Sequence, residues 1–166
     1  SFYDVSYHED GTVYSIQPNE DVPARIVKKI EQNLDVSHYP DRFLVPYMEV
    51  VHDRVMEELM RGCIRGCRFC QAGFIYRPLR EKTPEVVCKQ ARALCDSTGY
   101  EEISLSSLST SDYSGIEPLL DELLTFTEGE HINLSLPSLR IDNFSEELLE
   151  RIKKVRKSGL TFAAEA

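Results

Sequence analysis

Three cysteines fall within one run, Cys63-Ile64-Arg65-Gly66-Cys67-Arg68-Phe69-Cys70. Thiolates this close can all turn inward from a short loop, a geometry that suits a metal site. It suits a disulfide framework poorly, and five cysteines in the chain is an odd number for pairing. Gly66, directly before the second cysteine, is expected to allow the bend this demands. Arg65 and Arg68 would offset the thiolate charge. A zinc ion would want a fourth ligand, and His52, Cys88 or Cys95 could be proposed. Structural zinc sites, however, usually come as two spaced pairs. An electron-carrier cluster would use four cysteines, and no fourth lies nearby. Three ligands on a four-iron cluster leave one iron open to chemistry. Spacing favours that arrangement and leaves zinc as its rival.

Other reactive side chains are less organised. Cys88 and Cys95 lie seven residues apart on one helical face, and could be a second metal site or a redox pair. The plainer reading is two small buried apolar residues. His8, His38, His52 and His131 form no ligand pattern. Arg61, Arg65, Arg68, Arg77, Arg80 and Lys82 crowd the stretch around the cysteine loop. They read as a solvated or charge-compensating face, or as a site for an anionic substrate or a cofactor carboxylate.

The elements that must position the loop follow from periodicity. Residues 2–18 read as a hairpin, with Asp10-Gly11 at the turn. Pro23 to Leu34 is a helical candidate, with Ile26, Ile30 and Leu34 at helical spacing, before an irregular stretch. From Tyr47 a strand–helix rhythm sets in. Val50 to Met60 is expected to be a strand leading into the cysteine loop. Thr83 and Pro84 open a helix over Val87, Ala91 and Leu94, and Gly99 ends it. Ile103 to Leu108 is a second strand. Ile116, Leu119, Leu120, Leu123 and Leu124 mark a second helix, with Pro118 in its first turn. His131 to Leu136 is a third strand, Ser145 caps a third helix, and Thr161 to Ala164 opens a fourth strand. This alternation fits a parallel sheet, either half of an α/β barrel or a doubly wound sheet. In barrels, functional groups gather on loops after strand ends, where the cysteine loop falls.

The chain has 166 residues, is 42% hydrophobic and 28% charged, and so can fill a core. Its formal net charge of -9 speaks against broad contact with nucleic acid, leaving only local contact open. No apolar run reaches the ~20 residues of a membrane helix, and no signal peptide opens the chain, so a cytoplasmic location is expected. Both ends read as cut, and the expectation is a segment of a longer polypeptide.

The C-x3-C-x2-C spacing, with Phe69 just before the last cysteine, resembles the signature of the radical S-adenosylmethionine superfamily. The resemblance implies a 4Fe–4S cluster on Cys63, Cys67 and Cys70, with S-adenosylmethionine on its open iron. It also implies a 5′-deoxyadenosyl radical as hydrogen abstractor, and an electron donor such as a flavodoxin or ferredoxin. The implied fold is α/β, the N-terminal part of a partial TIM-type barrel, preceded by a β-hairpin and linker. Residues 1–45 would be the hairpin and linker leading from an upstream domain, and 46–166 the truncated N-terminal half of the barrel. Implied cofactor contacts are Phe69 near the adenine, backbone groups at Ser107 and Ser109 towards the amino group, and Glu165 for the ribose or methionine part. Ser138 and Arg140 would reach the same pocket.

The runs Pro46-Tyr47-Met48-Glu49-Val50, Arg61-Gly62-Cys63 and Phe69 to Pro78 resemble one branch of that superfamily. Its members resemble cobalamin-binding radical enzymes, so cobalamin is expected only through a domain ahead of Ser1. The small polar run near Ser107 also resembles the methylthiotransferase branch. Methyl or methylthio transfer to RNA or protein is therefore an alternative within the family. A zinc-stabilised binding module and an electron-transfer protein are the rivals outside it.

Overall fold

The computed structural model describes residues 2–48, 50–143, 150 and 162–163. The chain divides into two compact units, Ser1–Glu31 and Gln32–Ala166.

In the first unit, β1 (Tyr3–Tyr7) and β2 (Val13–Pro18) form the expected antiparallel hairpin, running from Tyr3 opposite Pro18 to Tyr7 opposite Val13. Asp10 shapes the turn: its Oδ1 accepts from the Thr12 N–H at 2.9 Å and the Thr12 hydroxyl at 2.7 Å. Gly11 takes the left-handed conformation with φ of 84°.

The helix expected over Pro23 to Leu34 does not form. Residues 26–31 are irregular, and only Leu34–Val36 make a 3-10 turn, which the Asn33 side chain caps. A short helix needs a buried stripe to offset its nucleation cost. Here Leu34 is 1% exposed while Ile26 is 73% exposed, so the apolar spacing marks no shared buried face.

The second unit is mixed α/β with a parallel sheet. β3 (Val55–Glu58) is shorter than the expected strand, because residues 51–54 turn. It is followed by β4 (Met60–Arg61), the five-residue helix α1 (Gln71–Ile75) and β5 (Arg80–Glu81). Helix α2 (Pro84–Thr98) has Pro at its first turn and ends on left-handed Gly99 (φ 72°). β6 (Glu102–Ser106) leads to α3 (Ile116–Glu130), which keeps Pro118 in its first turn and is capped by left-handed His131. β7 (Asn133–Ser135) follows, and then β8 (Leu139–Arg140). The expected fourth strand is present at β9 (Phe162–Ala163). The helix expected after Ser145 lies outside the described residues.

β3, β6 and β7 pair in parallel in that order, with Val55 opposite Ile103 and Ile103 opposite Leu134. β9 runs parallel to β8. One face of the sheet packs on both long helices, with Val55, Ile103, Leu105 and Leu134 meeting Val87, Ala91, Leu94, Leu119, Leu120 and Leu123 in one core. Neighbouring strands in chain order, each joined by a helix, leave their C-terminal ends on one edge. Among the described residues no helix is long and apolar enough to cross a membrane.

Candidate functional site

The cysteine loop is an excursion closed at its base. β4 and β5 pair antiparallel, Met60 opposite Glu81 and Arg61 opposite Arg80, so the chain between them leaves and returns at one place. Gly62 makes that closure possible. Its φ is 94°, and a Cβ there would stand 2.7 Å from the Pro78 carbonyl oxygen and 2.8 Å from that of Tyr76. Gly66, the glycine expected to permit the bend, is not the one required. A Cβ on it would meet nothing within 4 Å.

Within the loop, each sulfur faces an N–H. The Arg65 backbone N–H points at Cys63 Sγ at 3.4 Å, and that of Gly73 at Cys70 Sγ at 3.3 Å. Cys70 thereby caps α1, the helix that periodicity did not reveal. Arg140 brings its Nη1 to 3.9 Å from Cys67 Sγ. All three cysteines are half-buried. Soft thiolate donors with N–H partners are a set that suits iron–sulfur ligation. Among the described residues, no three His, Cys, Asp or Glu side chains converge to hold a single metal ion. A cubane cluster takes each thiolate on a separate iron and needs no convergence of the three on one ion.

The fourth zinc ligands considered above are elsewhere. Cys88 and Cys95 are buried in the core between sheet and helices. Burial pushes the Cys88 thiol up to about 12 and the Cys95 thiol up to about 11, so both are inert packing groups at neutral pH. His52 is exposed, with Nδ1 2.6 Å from the Arg54 guanidinium.

Beside the loop lies a cleft of about 500 Å³, lined by Arg65, Gly66, Cys67, Arg68, Phe69 and Arg140. Phe69 is 67% exposed at its mouth. Arg140 is held by Asp142 through Nε at 2.9 Å and Nη2 at 2.7 Å, and its backbone N–H donates to Ser111 Oγ. The serine run after β6 is tied into its own turn. Ser107 Oγ lies 2.8 Å from Thr110 Oγ1, and Ser109 Oγ donates to Asp112 at 2.8 Å. Ser138 adopts φ of 60° and its carbonyl accepts from the Thr110 N–H. Glu165 lies outside the described residues.

The basic stretch is largely spent on the protein itself. Arg61 pairs with Glu58, and Arg65 with Asp112. Arg77 donates to the Arg65 carbonyl, and Arg80 to those of Pro78 and Tyr76. Lys82 pairs with Glu57 in the core. The bonds of Arg65, Arg77 and Arg80 are stitches that shape the loop. Asp112 and Asn143 are the members that sequence reasoning missed. Neither belongs to a periodic pattern, and the partner Arg65 is 47 residues from Asp112.

Residues 58–166 match the family model of the Radical SAM superfamily. A threonylcarbamoyladenosine tRNA methylthiotransferase of Bacillus subtilis (strain 168) is 29% identical over 147 residues, 85% of this chain and 30% of that protein. An uncharacterised protein of Methanocaldococcus jannaschii is 29% identical over 154 residues, 93% of this chain and 32% of that protein. Another protein of that organism, provisionally named a methylthiotransferase, is 32% identical over 104 residues, 58% of this chain and 23% of that protein. The chain thus spans about a third or less of the length of the relatives it matches. The matched stretch takes in the cysteine loop, both long helices and the strands after them, and the chain belongs to the Radical SAM superfamily.

Proposed function

We propose that Cys63, Cys67 and Cys70 hold a 4Fe–4S cluster, and that the protein is a radical enzyme using S-adenosylmethionine. The observation that carries this is the closed loop of three half-buried thiols, each with an N–H at its sulfur, beside an open cleft. When bound and reduced, such a cluster supplies one electron to the sulfonium, so that a C–S bond breaks to give methionine and a 5′-deoxyadenosyl radical. The chain's own contributions are binding and orientation. Three thiolates anchor the cluster and leave one iron free, while Arg140 sets a positive charge against Cys67. Phe69, which lines the cleft, would pack near the adenine. Backbone groups at Ser107 and Ser109 would bind the amino group, and Glu165 would serve the ribose or methionine part. Residues 46–166 are then the N-terminal half of a barrel whose strand ends carry the site, with 1–45 as hairpin and linker.

A second reading within this chemistry is methylthio transfer, favoured by two of the relatives. One is named for acting on a threonylcarbamoyladenosine in tRNA. The net charge of -9 makes a broad RNA-binding face on this segment unfavourable, so an RNA would be gripped from elsewhere in the protein.

Turnover tests the first reading. Anaerobically reconstituted, reduced protein is expected to convert S-adenosylmethionine to 5′-deoxyadenosine, and Cys67→Ala to lose this. A wild-type protein that carries the cluster yet forms no 5′-deoxyadenosine above a no-enzyme control would refute it. Incubation with a sulfide source and threonylcarbamoyladenosine-bearing tRNA tests the second. A methylthio product supports it, and deoxyadenosine formation without one removes it.

A further inference from the structure

We propose that Asp112 is the positioning residue that pins the cysteine loop to the strand ends, holding it in cluster-binding form before any cluster is present. The side chain is 2% exposed, and its carboxylate receives donors from its own turn after β6 and from two other segments. Arg65, midway between Cys63 and Cys67, grips it as a fork, Nε to Oδ2 at 2.8 Å and Nη2 to Oδ1 at 2.5 Å. Ser109, after β6, donates to Oδ2 at 2.8 Å. Asn143, after β8, donates to Oδ1 at 2.9 Å and also to the Ser111 carbonyl at 2.7 Å. A planar guanidinium on a planar carboxylate fixes direction as well as distance, which a single hydrogen bond does not. Arg65 is bound at both ends. Its side chain holds Asp112, and its carbonyl takes a hydrogen bond from Arg77 on the far side of the loop at 3.1 Å. The backbone N–H of the same residue points at Cys63 Sγ. Fixing Arg65 therefore fixes the sulfur on one side of it and the path to Cys67 on the other. The Arg65 fork also holds the Asp112 carboxyl below the usual carboxylate range, so the clamp is charged at neutral pH.

The inference rests on the cluster reading for its purpose, but its first test needs no cluster. Hydrogen exchange in the apoprotein is compared between wild type, Asp112→Asn and Arg65→Lys. Exchange over residues 62–79 is expected to accelerate roughly tenfold in both variants, while α2 stays protected. Arg65→Lys guards against misfolding, since it keeps the charge at a partly exposed position and loses only the fork. Reconstitution follows, with both variants expected to take up iron more slowly and release it to a chelator several-fold faster. Unchanged exchange over 62–79 overturns the proposal, as does acceleration spread equally over α2, which marks a general loss of stability. A wild type that takes up no cluster at all would instead refute the cluster reading.

Discussion

Glu57 and Lys82 form an ion pair inside the second unit, with side chains 0% and 3% exposed and 2.8 Å between Nζ and Oε1. Lys82 also donates to Gln90 at 2.7 Å and sits 4.1 Å over the Tyr39 ring. Burial raises the Glu57 carboxyl while Lys82 draws it back. Removing one partner of such a pair strands the other. Lys82→Met is expected to cost about 3–5 kcal/mol in urea unfolding, and adding Glu57→Leu to recover most of it. Equal losses in the single and double variants would show that the pair itself is stabilising. Asp112 has the opposite sign of shift. Its lowered folded-state pKa contributes stability above the unfolded carboxylate value of about 3.9, and that contribution is lost as pH falls through the folded value. The difference in thermal midpoint between wild type and Asp112→Asn should be constant near neutrality and shrink below about pH 4. Cys88→Ala and Cys95→Ala should leave iron content unchanged, because both thiols belong to the core.

At the scale of elements, the short ladder between β4 and β5 defines the cysteine loop, and Gly62 is its closure. Gly62→Ala puts a Cβ against two carbonyl oxygens at a left-handed position, and should cost roughly 2 kcal/mol or more. Gly66→Ala should cost far less, as measured by denaturation of the apoprotein. These two glycines show what was legible in the sequence. Helix α2 could be read to within a residue or two, because its start and stop are local: Pro84 at one end and Gly99 at the other. The parallel strands followed from their apolar runs. The helix over Pro23 to Leu34 failed because spacing alone does not say whether a stripe finds a partner. Helix α1 was hidden because Cys70, whose sulfur caps it, reads as a metal ligand. The β4–β5 ladder and the Asp112 clamp join residues far apart in the chain, and no local pattern encodes them.

Across the whole molecule, the parallel sheet brings the ends of β3, β6 and β7 to one edge; the loop after β6 reaches the cysteine loop through Asp112 and Arg65, and Arg140 of β8 lines the cleft. Charge is placed with the same economy. The chain is acidic at -9, yet arginines are gathered at the loop, where Glu58, Asp112 and Asp142 neutralise much of them. On the proposed reading, Cys63, Cys67 and Cys70 together bind iron and sulfide. Anaerobic metal and sulfide analysis after reconstitution, on wild type and on Cys63→Ala, Cys67→Ala and Cys70→Ala, tests it most directly. About four iron and four sulfide per chain are expected in wild type, with loss in each variant. One tightly held zinc and no sulfide in a colourless wild-type protein would contradict it.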